Sequence, residues 1–177
     1  MKLYRIKVND NFTSYSMKGY DEHEECKEIK QLADKWETKK MTETDKRQDA
    51  DLAFCWLPMN HLIISQDAVE KIKTQLNFEE IELLPAKKGK KLFYLFHGIK
   101  ADKLTCDIVQ KGIKMRYVFD ENELKACGID NRFVIKAEMN HGVLSQLLYT
   151  EKFVSLINEL GLQGVDFDLE WDSEAEN

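Results

Sequence analysis

The sequence predicts an α+β protein: one domain built on a mainly antiparallel sheet, with a few helices packed against it. Strand patterns follow one another with hairpin turns between them, and helix patterns are few, which argues against repeated βαβ units. The length of 177 residues suits one domain and is short for two. Hydrophobic residues make up 43% and charged residues 33%, an ordinary soluble composition that needs neither disulfides nor metal to hold a core.

The first half of the chain opens with a strand and continues into a charged insert. Residues 2–8 alternate charged and apolar side chains, as a half-buried strand does. Residues 21–51 are rich in charge and poor in large apolar residues, so we predict an insert made of one helix and a flexible loop over 38–51. The helix is predicted from a stripe of residues spaced three and four apart: Cys26, Ile29, Leu32, Ala33 and Trp36.

The middle of the chain is predicted to hold a capped helix and a hairpin. Ser65 is the expected N-cap of a helix that continues to Leu76. Two strands, 81–86 and 91–99, flank a turn in which Gly89 supplies a positive φ. The same criteria predict further strands and one helical turn: strands at 57–64, 113–119 and 132–136, and the turn at 121–126.

The last part of the chain has the clearest pattern. Thr150 is predicted to cap a helix that Gly161 ends, because glycine tolerates the left-handed conformation that follows a helix. Residues 165–172 then alternate apolar and acidic side chains, which predicts a half-buried strand. The apolar residues, which end with Trp171, are expected on one face. The acids are expected on the opposite, wet face: Asp166, Asp168, Glu170 and Asp172.

The charge distribution limits the classes of partner. The net charge is −6, from 26 Lys and Arg against 32 Asp and Glu. The whole excess of acids over bases lies after Gly161, because residues 166–177 contain six acids and no Lys or Arg. This acidic end would repel nucleic acid and anionic membranes. It suits either solubility, as an acidic tail over 173–177, or a basic protein partner.

The sequence carries no motif for catalysis or for a resident cofactor. It lacks the glycine-rich nucleotide loops, the G-x-S-x-G nucleophile turn and the HExxH zinc motif. The four cysteines are scattered without a C-x-x-C pair, and the first residues lack the apolar core of a secretion signal. We therefore expect a cytoplasmic protein with reduced thiols that is not an enzyme, binds no cofactor or metal and does not enter a membrane.

The row of carboxylates on the last strand is the sharpest candidate site. Three interpretations stay open: a solvated face that protects a sheet edge, a surface for a protein partner, or part of a Mg²⁺ or Ca²⁺ site. The third would make the chain a metal-dependent hydrolase or an enzyme that reverses a modification. Trp36 is a second candidate, either as an anchor for a partner or as a member of the buried helix stripe.

Several segments resemble a known family. The motifs are Trp56-Leu57-Pro58, Leu62–Ser65 at the start of a helix, Ile81–Pro85, the aromatic strand Leu92–Phe96 and the ending Gly161–Phe167. Together they resemble the polymorphic-toxin immunity proteins of family eleven, formerly a domain of unknown function, over about residues 50–172. These motifs are patterns of apolar, Gly and Pro positions, and no catalytic residue is carried over with them.

The resemblance implies an immunity-type domain. Such a protein binds and blocks a cognate bacterial toxin, without turnover of any small molecule. A neutraliser of this kind needs a surface of standard size, about 1,600 Å² in total, with a few aromatic or Arg anchors. The acidic strand face could mimic phosphates in front of a toxin with a basic surface, and the insert with Trp36 is the other candidate surface. The oligomeric state stays open.

Overall fold

In a computed structural model of the chain, the structure describes residues 1–18, 31–56, 60–111, 114–139, 142–143 and 147–174. The fold is α+β and mainly sheet, as the sequence predicts. The strands are β1 (Lys2–Val8), β2 (Ser14–Lys18), β3 (Lys39–Asp45), β4 (Leu52–Cys55), β5 (His61–Ser65), β6 (Ile81–Lys88), β7 (Lys91–Gly98), β8 (Asp102–Lys103), β9 (Cys106–Lys111), β10 (Lys114–Phe119), β11 (Val134–Ile135), β12 (Ala137–Met139), β13 (Gly142–Val143), β14 (Leu148–Thr150) and β15 (Val165–Asp172). The α-helices are α1 (Gln66–Ile72), α2 (Glu121–Ala126) and α3 (Glu151–Glu159).

Six strands close into a barrel that the sequence analysis does not predict. Their order around the barrel is β2-β3-β6-β7-β5-β4. Most neighbours are antiparallel, but β2 pairs in parallel with β4, and β3 pairs in parallel with β6. The expected antiparallel sheet with packed helices is therefore confirmed only in part. Alternate side chains of the six strands form the barrel core: Tyr15, Met17, Met41, Ala53, Cys55, Ile63, Leu84, Ala86, Phe93 and Leu95.

A four-stranded outer sheet lies beside the barrel in the order β11-β14-β1-β15. In it β1 pairs antiparallel with both β14 and β15. One face of the outer sheet packs against the barrel, and their shared core contains Ile6 and Tyr149 from the sheet with Leu52 and Phe54 from the barrel. Residues of α1 and α3 complete this core, so the barrel and the outer sheet are joined by continuous apolar packing.

The opposite face of the outer sheet is covered by smaller elements. β9 and β10 form a hairpin, and β8, β12 and β13 form a three-stranded sheet. Phe119 of β10 packs edge-on against Trp171 of β15, with the two ring centroids 6.3 Å apart. Leu124 of α2 and Leu3 of β1 are buried in the same cluster. The outer sheet is thus packed on both faces, with β1 inside the sheet and β15 at its edge.

Local sequence signals predict several element boundaries correctly. The hydroxyls of Ser65 and Thr150 each accept the backbone N–H three residues further on, at 3.3 Å, as N-caps do. Gly89 in the β6–β7 hairpin and Gly161 after α3 have φ values of 60° and 63°. α1 ends at Ile72, a turn earlier than predicted. These boundaries depend on neighbours in sequence, and they are the features that a sequence pattern records best.

The charged insert needs the largest correction. The predicted loop over 38–51 is wrong for Lys39–Asp45, which form β3 of the barrel. Met41 is buried, but the strand is stabilised mainly by its backbone pairing with β2 and β6, because it has few other apolar side chains. The predicted helix lies partly outside the described residues, which leave out Cys26 and Ile29, and it is wrong for the part that they include. In its later part, Ala33–Lys35 form a 3₁₀ turn, and Trp36 already has an extended backbone.

Three other predictions fall partly outside the described residues. Of the strand predicted at 57–64, residues 57–59 lie outside the described residues, and the rest corresponds to β5, which begins at His61. The strand predicted at 113–119 is described from Lys114 as β10. Within the predicted acidic tail, Ser173 and Glu174 are described, and residues 175–177 are not.

Candidate functional site

The four predicted carboxylates of β15 do not share one environment. Asp166 is exposed and accepts a hydrogen bond from Asn9 Nδ2 at 2.7 Å. Asp168 Oδ2 lies 3.6 Å from Arg5 Nη2. At the far end of the strand, the Asp172 carboxylate accepts the backbone N–H two residues further on, at 3.0 Å. Each of these three acids keeps a local partner and part of its surface in water.

Glu170 is buried, so its predicted place on the wet face is wrong. Its Oε2 lies 3.0 Å from Arg5 Nε, and its side chain is 1% exposed. The other oxygen, Oε1, accepts the backbone N–H of Tyr117 at 3.2 Å. Burial raises the pKa of the Tyr117 hydroxyl, and the charge of Glu170 raises it further. Glu170 therefore ties the outer sheet to β10 instead of facing a partner.

A β-bulge explains the misplacement of Glu170. Leu3 lies opposite Trp171 in the β1–β15 ladder, but the next residue, Tyr4, lies opposite Leu169. Glu170 is therefore an extra residue in β15, and the alternation of faces reverses there. Trp171 joins the core on the hairpin side of the outer sheet rather than the core on the barrel side. The prediction that Trp171 shares a face with all the other apolar residues of the strand is wrong for this reason.

Arg5 and its two carboxylates form what we call the β15 cluster: Arg5, Asp168 and Glu170. In the part of the chain that the structure describes, no group of three or more His, Cys, Asp and Glu side chains could hold a metal ion. In the β15 cluster a cation would have to displace the Arg5 guanidinium from both carboxylates before it could bind.

Trp36, the other predicted site residue, lies at one end of the barrel. Its indole N–H donates to the carbonyl oxygen of Pro85 at 2.9 Å. The ammonium of Lys39 lies 5.0 Å from the centre of its ring, a cation–π distance. The side chain is half-buried and packs against the barrel core. This placement favours the packing interpretation of Trp36 over the anchor interpretation.

A groove of about 550 Å³ lies beside the β15 cluster. Strand β1, the end of β4 and strand β15 contribute its walls. The lining mixes charged and aromatic side chains: Arg5, Lys7, Asp10, Phe54, Trp56 and Asp168. We call it the Trp56 groove. Of the predicted site residues, Asp168 lines it, and Asp166 lies opposite Lys7 in the β1–β15 ladder.

Trp56 is exposed and yet held in place. Its side chain is 44% exposed. Its backbone N–H donates to the carbonyl oxygen of Tyr15 at 2.8 Å, and its indole N–H donates to Ser14 Oγ at 3.0 Å. The ring packs edge-on against Phe54, with centroids 5.0 Å apart. Two contacts of the ring and one of its backbone therefore hold this large aromatic side chain at the surface.

Trp36 and Trp56 lie at opposite ends of the β2–β3 pair. Trp36 is near the start of β3, whereas Trp56 contacts Ser14, which pairs with Asp45 at the end of β3. The seven residues of β3 separate them by roughly 20 Å. The structure therefore does not bring Trp36 to the groove. Sequence reasoning missed Trp56 as a site residue, although a Trp directly after a short, fully apolar strand is a usable signal.

A second charge cluster is buried between the barrel and the outer sheet. Arg132, just before β11, has its Nε 3.0 Å from an oxygen of Glu80, just before β6. Its Nη1 donates to Asp102 of β8 at 2.5 Å. All three side chains are less than a tenth exposed. We call this the seam cluster, because it joins the barrel, the outer sheet and the three-stranded sheet.

No family model matches this chain, and no curated protein is significantly similar to it. Among the helices of the described residues, none has both the length and the apolar character needed to cross a bilayer.

Proposed function

We propose that this chain is an immunity protein, a cytoplasmic binding protein that neutralises a cognate bacterial toxin domain by forming a stoichiometric complex with it. It works without catalysis and without a cofactor. Its contact surface is the Trp56 groove together with the exposed acids next to it. The motif resemblance to toxin-immunity proteins and the geometry of the groove support the proposal.

The observation that carries the proposal is the exposed, fixed ring of Trp56. Truncation studies of protein interfaces find that Trp, Tyr and Arg side chains dominate the binding energy. A ring that is already held by Ser14 and Phe54 loses little further freedom when a partner covers it. An anchor of this kind suits tight binding by shape, which is what a stoichiometric neutraliser requires.

The charges around the groove suit a partner with a basic surface. Arg5 is largely neutralised by the carboxylates of its own cluster. Lys7, Asp10 and Asp168 line the groove, and the exposed Asp166 lies opposite Lys7, so that these residues together with Arg5 and Glu170 carry a net charge of −2. Complementary charge mainly accelerates the encounter of two proteins and selects between partners. Asp172 and Trp36 stay predictions as toxin contacts, and Trp56 replaces Glu170 in the proposed set.

The alternative function, a metal-dependent hydrolase on the β15 carboxylates, is less well supported. It requires Asp168 and Glu170 to release Arg5 and Tyr117 before they could coordinate a cation. No observation among the described residues favours that rearrangement, so we do not adopt this function.

The test is a binding measurement with the toxin domain encoded beside the gene for this chain. Wild-type protein and Trp56→Ala are titrated into the purified, catalytically inactivated toxin domain by calorimetry. We expect the titration to end at a fixed molar ratio of the two proteins. We expect Trp56→Ala to lower the affinity about 30-fold or more. Growth of cells that produce the active toxin should be rescued by the wild-type protein and less well by the variant.

Phe78→Ala is the matched control, because Phe78 is also an exposed aromatic residue, at 52%. It should bind like the wild-type protein. Absence of any complex at micromolar concentrations would contradict the proposed function. Equal losses for Trp56→Ala and Phe78→Ala would contradict the assignment of the groove.

A further inference from the structure

The β9–β10 hairpin has a buried base and an exposed middle. At the base, Phe119 is 4% exposed and packs on Trp171. Further out along β9, Ile108 and Val109 are 52% and 41% exposed. Successive strand residues point to opposite faces, so both faces of β9 are in water at this point. The hairpin is therefore an arm that extends from the outer sheet.

The arm has two strand edges, and they have different surroundings. Within the described strands, β9 pairs only with β10, through six residue pairs from Cys106 to Lys111. The other strand, β10, is turned towards the body, because the backbone N–H of Tyr117 donates to Glu170. The unpaired groups of an edge strand are a template for another strand, and apolar side chains on it favour that pairing.

Contacts at the base fix the orientation of this edge. Glu170 is the bulged residue of β15, and it holds Tyr117 on one side and Arg5 on the other. The Tyr117 and Phe119 rings lie 6.1 Å apart and extend the aromatic packing to Trp171. An edge held in this way does not need to be ordered when a partner binds, which lowers the cost of binding.

The charge of the arm indicates which kind of strand it would accept. The arm, residues 106–119, contains three Lys or Arg and one acid, Asp107, although the whole chain has a net charge of −6. An incoming segment that carries acids would be attracted to this arm. A second copy of the same arm would be repelled by it, since both carry the same net charge.

We propose that the free edge of β9 is a strand-addition site for an extended, acidic segment of a partner protein. The added strand pairs with the β9 backbone and covers Ile108 and Val109, and its acids meet the basic residues of the arm. The site is separate from the Trp56 groove and does not depend on the immunity function. It gives the chain a second surface with the opposite charge preference.

The test uses synthetic peptides with the full chain. One peptide alternates Val and Thr and has glutamates at both ends. A second has lysines at both ends, and a third is the first with methylated backbone nitrogens, which cannot pair as a strand. Binding is measured by fluorescence anisotropy, and the amide hydrogen exchange of β9 is followed by NMR. We expect binding of the first peptide only, with slowed exchange in β9.

Charge variants at an exposed position separate strand pairing from general attraction. Ile108→Glu and Ile108→Lys both remove the apolar side chain, but the Glu variant should bind the glutamate-ended peptide about fivefold more weakly than the Lys variant. Phe78→Glu is the control and should bind like the wild-type protein, because Phe78 is equally exposed and lies outside the arm. Circular dichroism confirms that each variant is folded.

Several outcomes would overturn the proposal. Absence of binding by the glutamate-ended peptide at millimolar concentration would mean that the charges only protect an edge from aggregation. Equal binding of the lysine-ended or the methylated peptide would exclude acidic strand addition. Concentration-dependent dimerisation that protects the β9 amides would make a second copy the occupant instead. Because no toxin is used, failure here leaves the test of the Trp56 groove unaffected.

Discussion

The seam cluster and the β15 cluster have the same composition, one guanidinium between two carboxylates, but they differ in their access to water. The Arg132 side chain of the seam cluster is 5% exposed, and both of its carboxylate partners are equally buried. The Arg5 side chain of the β15 cluster is 32% exposed, and of its two partners only Glu170 is buried. The first cluster holds parts of the fold together, whereas the second holds one carboxylate inside and presents another at a groove.

This comparison shows how burial decides what an ion pair does. Buried charges contribute little net stability as a pair, but the loss of one partner is costly because the other stays unpaired and out of water. When one member of a partly exposed pair is removed, water can hydrate the other member, so the loss of stability is smaller. Asp168 can consequently contact a partner with little loss of folding stability, whereas the residues of the seam cluster cannot.

The largest expected effect comes from breaking the seam cluster. Arg132→Ala should lower the free energy of unfolding by about 3–5 kcal/mol, because Glu80 and Asp102 are left buried without a counter-charge. Urea denaturation followed by circular dichroism measures this change. Arg47→Ala is the control, since Arg47 and its partner Asp45 are both about half exposed, and it should change stability by less than about 0.5 kcal/mol. A loss below about 1 kcal/mol for Arg132→Ala would mean that water reaches the seam.

A smaller loss is expected from the buried half of the β15 cluster. Glu170→Ala should lower the free energy of unfolding by about 2 kcal/mol, because the Tyr117 N–H loses its acceptor and Arg5 loses a counter-charge that water replaces only in part. The matched control on the same strand is Asp166→Ala, expected within about 0.5 kcal/mol of the wild-type protein. The free energy of unfolding is measured by urea denaturation. Equal losses in Glu170→Ala and Asp166→Ala would mean that the buried acid stabilises the fold no more than the exposed one.

The smallest effect is expected at the exposed half of the same cluster. Asp168→Asn should change stability by less than about 1 kcal/mol and slow association with a basic toxin domain about two- to threefold at low salt. Stopped-flow fluorescence at low salt and at about 0.5 M salt measures the rate, and the difference should disappear at high salt. Glu121→Gln, at the start of α2 and not among the residues that line the groove, should leave the rate unchanged. An unchanged rate for Asp168→Asn would remove this face from the proposed contact.

The sequence predicts features that are decided locally. The caps at Ser65 and Thr150 and the left-handed glycines Gly89 and Gly161 were found because each requires only a few neighbouring residues. Strand β15 is also predicted, together with the acid Asp168 that lines the groove, and its alternation of faces holds as far as the bulge at Glu170.

Features that depend on pairing between distant segments were missed. Strand β3 has one fully buried residue, Met41, and owes its conformation to β2 and β6, so its own pattern resembles a charged loop. The barrel closes only through such pairings. The bulge at Glu170 exists because of the register between β15 and β1, and no pattern within β15 reveals which acid is the extra residue. The same limit applies to Trp56, whose exposure depends on contacts with Ser14 and Phe54.

The pairing of β1 with β15 has a consequence for synthesis in the cell. The first strand of the described chain finds its partner in the last one, along seven residue pairs from Lys2 to Val8. A ribosome makes about 5–20 residues per second, so β1 waits for several seconds with an unpaired edge. Both faces of the outer sheet, and the tie from Glu170 to the hairpin, form only afterwards. The nascent protein therefore exposes the apolar side chains and one backbone edge of β1 until β15 has left the ribosome.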